Sequence, residues 1–206
     1  MTRADGPLRL GVLASGRGSN LQAILAATVR PDFPARVAVV ISDKEQAQAL
    51  DRARTHGVTA VWVSPKDFGD RAAYEAGLGR ALDEHRVELV CLAGFMRILT
   101  PEFVRAYAGR ILNIHPALLP AFPGLHAQRQ ALEYGVRVAG ATVHFVDEGI
   151  DTGPIVLQAS VPVHPDDTEE SLSARILVEE HRLYPEAIRL FAEGRLQIAG
   201  RRVIIR

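Results

Sequence analysis

An asparagine and a histidine two residues apart are the strongest candidates for catalysis in this sequence. Asn113 and His115 end the largely apolar run 111–115, and a proline-rich segment follows them. Residues i and i+2 of an extended strand point to the same side of a sheet, so the amide and the imidazole are expected side by side. Hydrogen-bond donors of this kind stabilise an oxygen that gains charge during acyl transfer. The alternative is a buried pair that only satisfies the loop backbone.

An acidic, turn-rich segment supplies a third candidate. Asp151 lies in the segment 147–154, which contains two glycines and a proline, and it could act as a general base or orient His115. In the second role it is expected to raise the pKa of His115 and keep the imidazole charged. The segment could also be a solvated turn, or Asp147, Glu148 and Asp151 could hold a divalent metal. The spacing does not match a calcium loop, and no metal is expected.

The sequence argues against a covalent acyl-enzyme. It has no serine nucleophile elbow, and its single cysteine, Cys91, lies inside the apolar run 89–93. Direct attack by a substrate amine is therefore favoured. The seven histidines lack the spacing of paired metal ligands, so most of them are expected to be structural or on the surface.

A glycine-rich loop after the first predicted strand points to an anion site. Gly16 and Gly18 precede a helical pattern, and Gly18, Ser19 and Asn20 can offer backbone amides and side-chain donors to a phosphate. Leu21 stands where a dinucleotide fingerprint requires a third glycine, which favours a terminal monophosphate over a pyrophosphate. Two alternatives stay open: a glycine turn that only begins a helix, and a nicotinamide site with Asp43 on the ribose.

The elements that must position these residues alternate between strands and helices. Short apolar runs predict strands at 8–14, 37–41, 60–63, 89–93 and 111–114, and helical faces lie between them. One such face is formed by Leu21, Ile24 and Leu25, and a second by Tyr74, Leu78 and Leu82. This alternation predicts an α/β fold with an open, mostly parallel, Rossmann-like sheet flanked by helices.

The last third of the chain has a different pattern of apolar and polar residues. Residues 142–146 alternate and 155–163 form a second extended run, which predicts late antiparallel strands with one polar face. A long helix is expected to begin with a capping box from Asp167 to Glu170, and Pro185 is expected to kink or split it. The apolar runs 196–198 and 203–205 across Gly200 predict a hairpin. We expect a single domain over 1–206.

Composition excludes several classes of protein. The 206 residues include 24 basic and 24 acidic side chains, and the pI is near 7.1, which disfavours nucleic-acid or membrane-surface binding. The hydrophobic fraction of 48% is too high for a disordered chain. The polar start of the sequence has no signal-peptide pattern, and no run is long enough to span a membrane, so a soluble cytoplasmic protein is expected.

Several segments in a fixed order resemble the folate-dependent phosphoribosylglycinamide formyltransferases. The matching segments are Ser15-Gly16-Arg17-Gly18-Ser19-Asn20, Leu92-Ala93-Gly94-Phe95-Met96-Arg97-Ile98-Leu99, Leu112-Asn113-Ile114-His115-Pro116, Pro123-Gly124-Leu125-His126, Val143-His144-Phe145-Val146 and Glu180-His181. Two positions depart from the family pattern: Thr152 stands where a small residue is expected, and Asp43 replaces an asparagine.

This resemblance implies roles for individual residues. Asn113, His115 and Asp151 would be the catalytic trio, Gly18, Ser19 and Asn20 would hold the ribonucleotide phosphate, and Glu180 would contact the glycinamide substrate. The residues implied to bind the folate are Arg71, Met96, Arg97, Ile98, Leu99, Asn113, Asp147 and Asp151.

The resemblance also implies a reaction, and it implies which part of the chain binds each substrate. The formyl group of the cosubstrate 10-formyltetrahydrofolate would pass to the amine of glycinamide ribonucleotide, so the partners would be small molecules. The phosphate half would span about 8–110, the folate and catalytic half about 88–195, and the hairpin about 195–206. The oligomeric state stays open, a homodimer included.

Four rival functions remain open. They are a formyltetrahydrofolate hydrolase, the methionyl-tRNA formyltransferase, an NAD-dependent oxidoreductase and a non-catalytic nucleotide-binding module. The missing third glycine argues against the oxidoreductase, and the presence of Asn113, His115 and Asp151 argues against the binding module.

Overall fold

Nine strands form one sheet in the computed structural model, which describes residues 6–206. The start of the chain, where the sequence shows no signal-peptide pattern, lies almost wholly outside these described residues. The strands are β1 (Leu8–Leu13), β2 (Ala35–Ser42), β3 (Thr59–Trp62), β4 (Leu89–Leu92), β5 (Ile111–His115), β6 (Val138–Phe145), β7 (Ile155–Pro162), β8 (Leu196–Ala199) and β9 (Arg202–Ile205). The helices are α1 (Ser19–Thr28), α2 (Gln48–Thr55), α3 (Arg71–Glu84), α4 (Pro101–Ala106), α5 (Ala127–Tyr134) and α6 (Glu169–Ala192), with a 3₁₀ turn at Pro65–Asp67.

The sheet is parallel in its first half and mixed in its second. Its spatial order is β3-β2-β1-β4-β5-β6-β7-β9-β8. The first five strands in this order are parallel, whereas β6 runs antiparallel to both of its neighbours. β9 then pairs in parallel with β7, and β8 is antiparallel to β9. This arrangement confirms the predicted α/β fold with late antiparallel strands.

The strand order reverses between β1 and β4, and this point sets the position of the site. Ligands of open α/β sheets bind beyond the carboxyl ends of the strands at such a reversal. Here the loops after β1 and β4 are joined by hydrogen bonds: the Ser15 amide donates to the Gly94 carbonyl at 3.0 Å. The Met96 amide donates to the Ser15 hydroxyl at 2.9 Å. The glycine-rich loop and the segment around Met96 are therefore held together.

Helices cover both faces of the sheet, as the two predicted helical faces require. On one face, α1 buries Leu21, Ile24 and Leu25 in a core shared with α2 and α6. On the other face, α3 buries Tyr74, Leu78 and Leu82 in a core shared with α4. Among residues 6–206, the helices are too short or too polar to cross a lipid bilayer.

The polar face predicted for the late strands is wrong for β6. All residues from 139 to 145 are buried, because β6 lies between β5 and β7 and also packs against α6. Thr142 is accommodated by donating its hydroxyl to the Ala117 carbonyl at 2.6 Å. The alternating polar residues of β6 are therefore buried and hydrogen-bonded, and they do not form a face exposed to solvent.

Of the two outcomes expected at Pro185, a kink or a split of the last helix, the split does not occur. α6 is one helix with Pro185 inside it. Proline removes one amide donor from the helical ladder, yet Leu183, Tyr184, Ala187 and Ile188 around it are all buried. Packing on both sides of Pro185 therefore keeps the helix continuous.

The start of α6 lies one residue later than predicted. The capping box is formed by Thr168 and Ser171, and Asp167 lies outside the helix. Asp167 instead pairs with Arg175, at 2.7 Å between Oδ2 and Nη1. The Thr168 hydroxyl supplies the cap, and the Asp167 carboxylate is engaged with Arg175 instead.

Candidate active site

The structure brings the three predicted catalytic residues together around Asp151. One carboxylate oxygen, Oδ2, lies 3.3 Å from His115 Nδ1 and accepts a hydrogen bond from the Gly124 amide at 2.8 Å. The other, Oδ1, accepts from Asn113 Nδ2 at 3.3 Å. Asp151 itself has a left-handed backbone, with φ of 53°. Its carboxylate thereby meets both members of the Asn113–His115 pair.

A second histidine, His144, completes this group and was missed from the sequence. Its Nε2 atom lies 3.2 Å from Asn113 Nδ2 and 3.5 Å from Asp151 Oδ1. The antiparallel register of β5 and β6 places His144 directly opposite Asn113. The sequence marks His144 only as part of the family segment 143–146, and the strand register brings it to the site. We call Asn113, His115, His144 and Asp151 the Asp151 cluster.

The hydrogen-bond partners of His115 restrict its protonation. Its Nε2 atom lies 2.8 Å from the Phe122 carbonyl, and its Nδ1 atom faces the Asp151 carboxylate. Burial lowers the pKa of His115, whereas Asp151 and the Phe122 carbonyl raise it and His144 lowers it again. The net direction is downward, contrary to the expected rise, because burial outweighs the attraction to Asp151. His115 therefore releases its proton more readily than an exposed histidine does.

The Asp151 carboxylate is ionised at neutral pH. Burial alone would raise its pKa, but hydrogen bonds from His144 and the Gly124 amide, together with the charge of the two imidazoles, lower it overall. A fixed negative charge at this position can orient His115 and stabilise its charged form when that form arises.

The loop after β1 leads into the start of α1, where no side chain caps the helix. Gly18 caps this helix with φ of 69° and has no side chain to bond the first-turn amides. A Cβ at this position would lie 2.9 Å from Ala49 Cα, so only glycine fits. The Gly16 carbonyl accepts from the Ala49 amide, and the Arg17 carbonyl accepts from Arg52. With α2 holding the loop, the free amides suit a phosphate group.

Asn20 has a different role from the one expected of its side chain. Its Nδ2 atom donates to Glu180 Oε2 at 2.8 Å, in the interior and across 160 residues of sequence. The side-chain amide thus points to α6, and only the backbone amide is left for an anion. Burial raises the pKa of Glu180, and the bond from Asn20 partly offsets this effect. Within the described residues, Asn20 Oδ1 is buried without a partner.

The segment after β4 combines exposed and buried side chains. Met96 and Ile98 are 64% and 63% exposed, whereas Leu99 is buried in the core under α3 and α4. Arg71 donates to the Ile98 carbonyl and pairs with Glu75 at 3.3 Å. Leu99 therefore anchors the segment in the core, and the Met96 and Ile98 side chains are exposed to solvent.

Asp43 is occupied by an ion pair and does not serve a ribose. It lies 3.1 Å from Arg97 Nε, and its side chain is only 4% exposed. The Arg97 guanidinium in turn lies over the Tyr74 ring at 5.2 Å. A ribose-binding acid must face the ligand, so this burial argues against the nicotinamide alternative.

The segment 147–153 between β6 and β7 forms an internally bonded loop. Asp147 Oδ1 accepts from the Thr152 hydroxyl at 2.6 Å and from the Gly149 amide at 3.1 Å. Ile150 is 53% exposed on this loop, and Leu125 is 68% exposed after β5. Exposed apolar side chains on the loops after β4, β5 and β6 suit a flat ligand with an apolar face.

The residues described by the structure contain no group of three or more His, Cys, Asp or Glu side chains arranged to hold a metal ion. Cys91, the single cysteine, is buried as its sequence context predicts, and burial raises the pKa of its thiol to about 12. Its thiol is therefore protonated at neutral pH and closed to covalent chemistry.

Comparison with known proteins assigns the chain to a family. Residues 8–188 match the family model described as formyl transferase. The chain belongs to the formyl transferase family. Members of this family use a formyl-folate. The resemblance noted in the sequence is thereby confirmed.

Three relatives of this formyl transferase are especially similar. Phosphoribosylglycinamide formyltransferase of Escherichia coli is 47% identical, over 93% of this chain and 90% of its own length. The structure of glycinamide ribonucleotide transformylase 1 from Symbiobacterium toebii superposes with a TM-score of 0.95 and 60% identity, covering 97% of this chain and 94% of that one. The trifunctional purine biosynthetic protein adenosine-3 of Drosophila melanogaster is 51% identical over 90% of this chain, which spans only 14% of that longer protein.

Proposed function

We propose that this formyl transferase moves the formyl group of 10-formyltetrahydrofolate to the amine of glycinamide ribonucleotide. The observation that carries the proposal is the convergence of Asn113 and His115 on one carboxylate, that of Asp151. Close relatives named for this reaction support it over most of the chain.

The chemistry requires no covalent enzyme intermediate. The substrate amine attacks the formyl carbon, and the formyl oxygen becomes an oxyanion that Asn113 and His115 stabilise by donating hydrogen bonds. The bond from the formyl carbon to the folate nitrogen then breaks, the amine loses a proton, and the folate nitrogen gains one. His115, with its lowered pKa, and Asp151 assist this proton movement through water.

Substrate binding exchanges hydrogen bonds that exist in the free protein. Asn113 Nδ2 donates to Asp151 Oδ1 and also lies 3.2 Å from His144 Nε2. His115 likewise holds the Phe122 carbonyl with Nε2. To reach the formyl oxygen, Asn113 releases one of its partners and His115 releases Phe122. The cluster thus preorganises the donors while keeping them satisfied in the interior.

Two subsites follow from the same proposal. The phosphate of the ribonucleotide binds the amides of Gly18, Ser19 and Asn20, and Glu180 receives the glycinamide end. The folate binds between the segment of Met96, Arg97, Ile98 and Leu99 on one side and the loop of Asp147 and Asp151 on the other, with Arg71 at its polar end. The halves 8–110 and 88–195 supply these two subsites within one domain.

Formyl loss measured by absorbance tests the proposal directly. Purified protein is mixed with a 10-formyl folate, with and without glycinamide ribonucleotide. We expect turnover only with the ribonucleotide, and a loss of about 100-fold or more in kcat for His115→Ala, because an oxyanion donor is removed. The control is His164→Ala, which changes an exposed histidine.

Two results would contradict the proposal. Formyl loss without the ribonucleotide would identify a hydrolase. Turnover that His115→Ala leaves intact would exclude the assigned chemistry even if the substrates are correct.

A further inference from the structure

Thr152 directly follows Asp151 in the loop between β6 and β7. Its hydroxyl donates to Asp147 Oδ1 at 2.6 Å, which joins the two ends of the 147–153 loop. Its carbonyl accepts from Arg201 Nη2 at 2.9 Å, and Arg201 lies in the turn between β8 and β9. One residue therefore links the loop to itself and to the C-terminal hairpin.

The rest of the loop is packed around this threonine hydroxyl. A Cβ at Gly149 would lie 2.1 Å from Thr152 Oγ1, so the backbone passes against the hydroxyl where no other residue fits. The Gly149 amide also shares the Asp147 Oδ1 acceptor. A residue without a hydroxyl at 152 would remove the donor that bonds the Asp147 carboxylate and packs against the Gly149 backbone.

The Asp151 carboxylate itself accepts hydrogen bonds from the Gly124 amide and from Asn113, whereas its backbone depends on the loop. Apart from the bonds of Thr152, few contacts among the described residues hold that loop. Glu148 pairs with Arg105 at 2.9 Å, but both side chains are more than half exposed, and such surface pairs contribute little. The Phe145 amide donates to the Pro154 carbonyl and closes only the base of the loop. Asp151 sits between base and tip in a left-handed conformation that the neighbouring residues must maintain.

We propose that Thr152 is a positioning residue that holds the Asp151 carboxylate against His115, and that Arg201 of the C-terminal hairpin supports it from the other side. The hydrogen bonds and the close packing described above support the positioning of Asp151 by Thr152. Its effect on turnover rests on the proposed function, so the test has one readout without substrates and one with them.

The first readout is the titration of the His115 imidazole in the full-length free protein, followed by NMR. The groups that face this imidazole are Asp151 from the loop, the Phe122 carbonyl after β5 and His144 from β6. Asp151 is the charged group that raises the pKa, so loosening it lowers that pKa further. We expect this shift in Thr152→Val, which removes only the hydroxyl, and no shift in Thr152→Ser, which keeps it.

The hairpin contact has its own matched pair of variants. Arg201→Gln removes the guanidinium that bonds the Thr152 carbonyl and should shift the His115 titration in the same direction by a smaller amount. Arg202→Gln, one residue further, should leave it unchanged. This pair keeps the proposal testable if Thr152→Val does not fold. Titrations identical to the parent in both Thr152→Val and Arg201→Gln would overturn it.

The second readout is steady-state kinetics. Thr152→Val should lower kcat about fivefold, as expected when one hydrogen bond that orients a catalytic group is lost, with the KM for the ribonucleotide unchanged. Thr152→Ser should restore kcat to within about twofold. If the parent protein transfers no formyl group, the proposed function fails, and the NMR result still decides the role of Thr152. Equal changes in kcat and in the ribonucleotide KM would indicate general damage and would overturn positioning.

Discussion

Buried ionisable groups are concentrated at a few residues of the site, and the Asp151 cluster and Glu180 differ in how well these groups are paired. In the Asp151 cluster, every group has a partner close enough to share a proton or a hydrogen bond. Glu180 accepts a hydrogen bond from the neutral Asn20 amide and is only 6% exposed. A carboxylate held in the interior by one neutral donor costs free energy unless it serves a ligand.

Replacing Glu180 by glutamine should therefore stabilise the protein while weakening substrate binding. Because burial raises the pKa of Glu180, its ionisation above that pKa destabilises the folded state. Glu180→Gln imitates the protonated form and should raise the free energy of unfolding at pH 7. The gain should vanish near pH 4, where the carboxyl is protonated in both states. Urea unfolding at the two pH values measures it.

The control for this variant is Glu170→Gln, which changes an exposed carboxylate of the same helix. It should alter stability little at either pH. A Glu180→Gln protein that is less stable at pH 7, or that keeps the parent KM for the ribonucleotide, would contradict the assignment of Glu180.

The partners of the Asn20 and His144 side chains could not be predicted from the sequence, because they depend on tertiary contacts. The chain order gives Asn20 next to the glycine loop, which predicts a phosphate donor, but α6 returns to this point 160 residues later and takes its side chain. His144 was missed for a similar reason, since its place opposite Asn113 depends on the register of two strands. Asn113, His115 and Asp151 could be proposed because local spacing and family motifs both mark them.

At the scale of elements, the glycine loop shows how a neighbouring helix fixes a ligand site. Gly18→Ala should destabilise the protein by about 1–3 kcal/mol, since it combines a left-handed backbone with a contact of 2.9 Å to Ala49 Cα. It should also raise the KM for the ribonucleotide about tenfold or more, because the first-turn amides of α1 move away from the phosphate. Thermal unfolding and steady-state kinetics measure the two effects.

Gly16→Ala is the matched control on the same loop. A Cβ at Gly16 meets no atom within 4 Å, so this variant should keep stability and the ribonucleotide KM near the parent values. Equal damage from the two substitutions would mean that the loop tolerates no side chain for a reason other than packing against α2.

Sequence patterns predicted the elements well where one physical rule dominated. The parallel strands follow from continuous apolar runs, and α1 and α3 follow from their buried stripes. The patterns failed where tertiary contacts decide: Pro185 lies inside an unbroken helix because the residues around it are buried. In β6 the polar residues are buried because strands flank it on both sides.

At the scale of the whole molecule, buried histidines make stability depend on pH. Burial lowers the pKa of His115 and of His181 below 6.5, so the unfolded chain binds more protons as the pH falls. Stability should therefore decline from neutral pH through about pH 5. The lowered pKa of Asp151 extends the loss to lower pH.

The raised pKa of Glu180 makes stability increase as the pH falls, which opposes the effect of the histidines. Thermal unfolding of Glu180→Gln removes this opposing contribution. In that background the Tm should fall steadily between pH 7 and pH 5. Adding His181→Gln should reduce the fall, since the half-buried His181 imidazole no longer has to gain a proton. A Tm that rises over this range would contradict the buried neutral state of both histidines.

The C-terminal hairpin also governs how molecules of this protein meet one another. It joins β7 through the register pair Ile155 and Arg202, and so covers the start of a strand that would otherwise offer free backbone groups there to another chain. The edge that replaces it, β8, has four residues, and Arg195 and Arg201 flank it. Short edges beside positive charge resist strand addition. For a chain whose formal net charge is zero, colloidal stability near neutral pH depends on such local protection more than on overall repulsion.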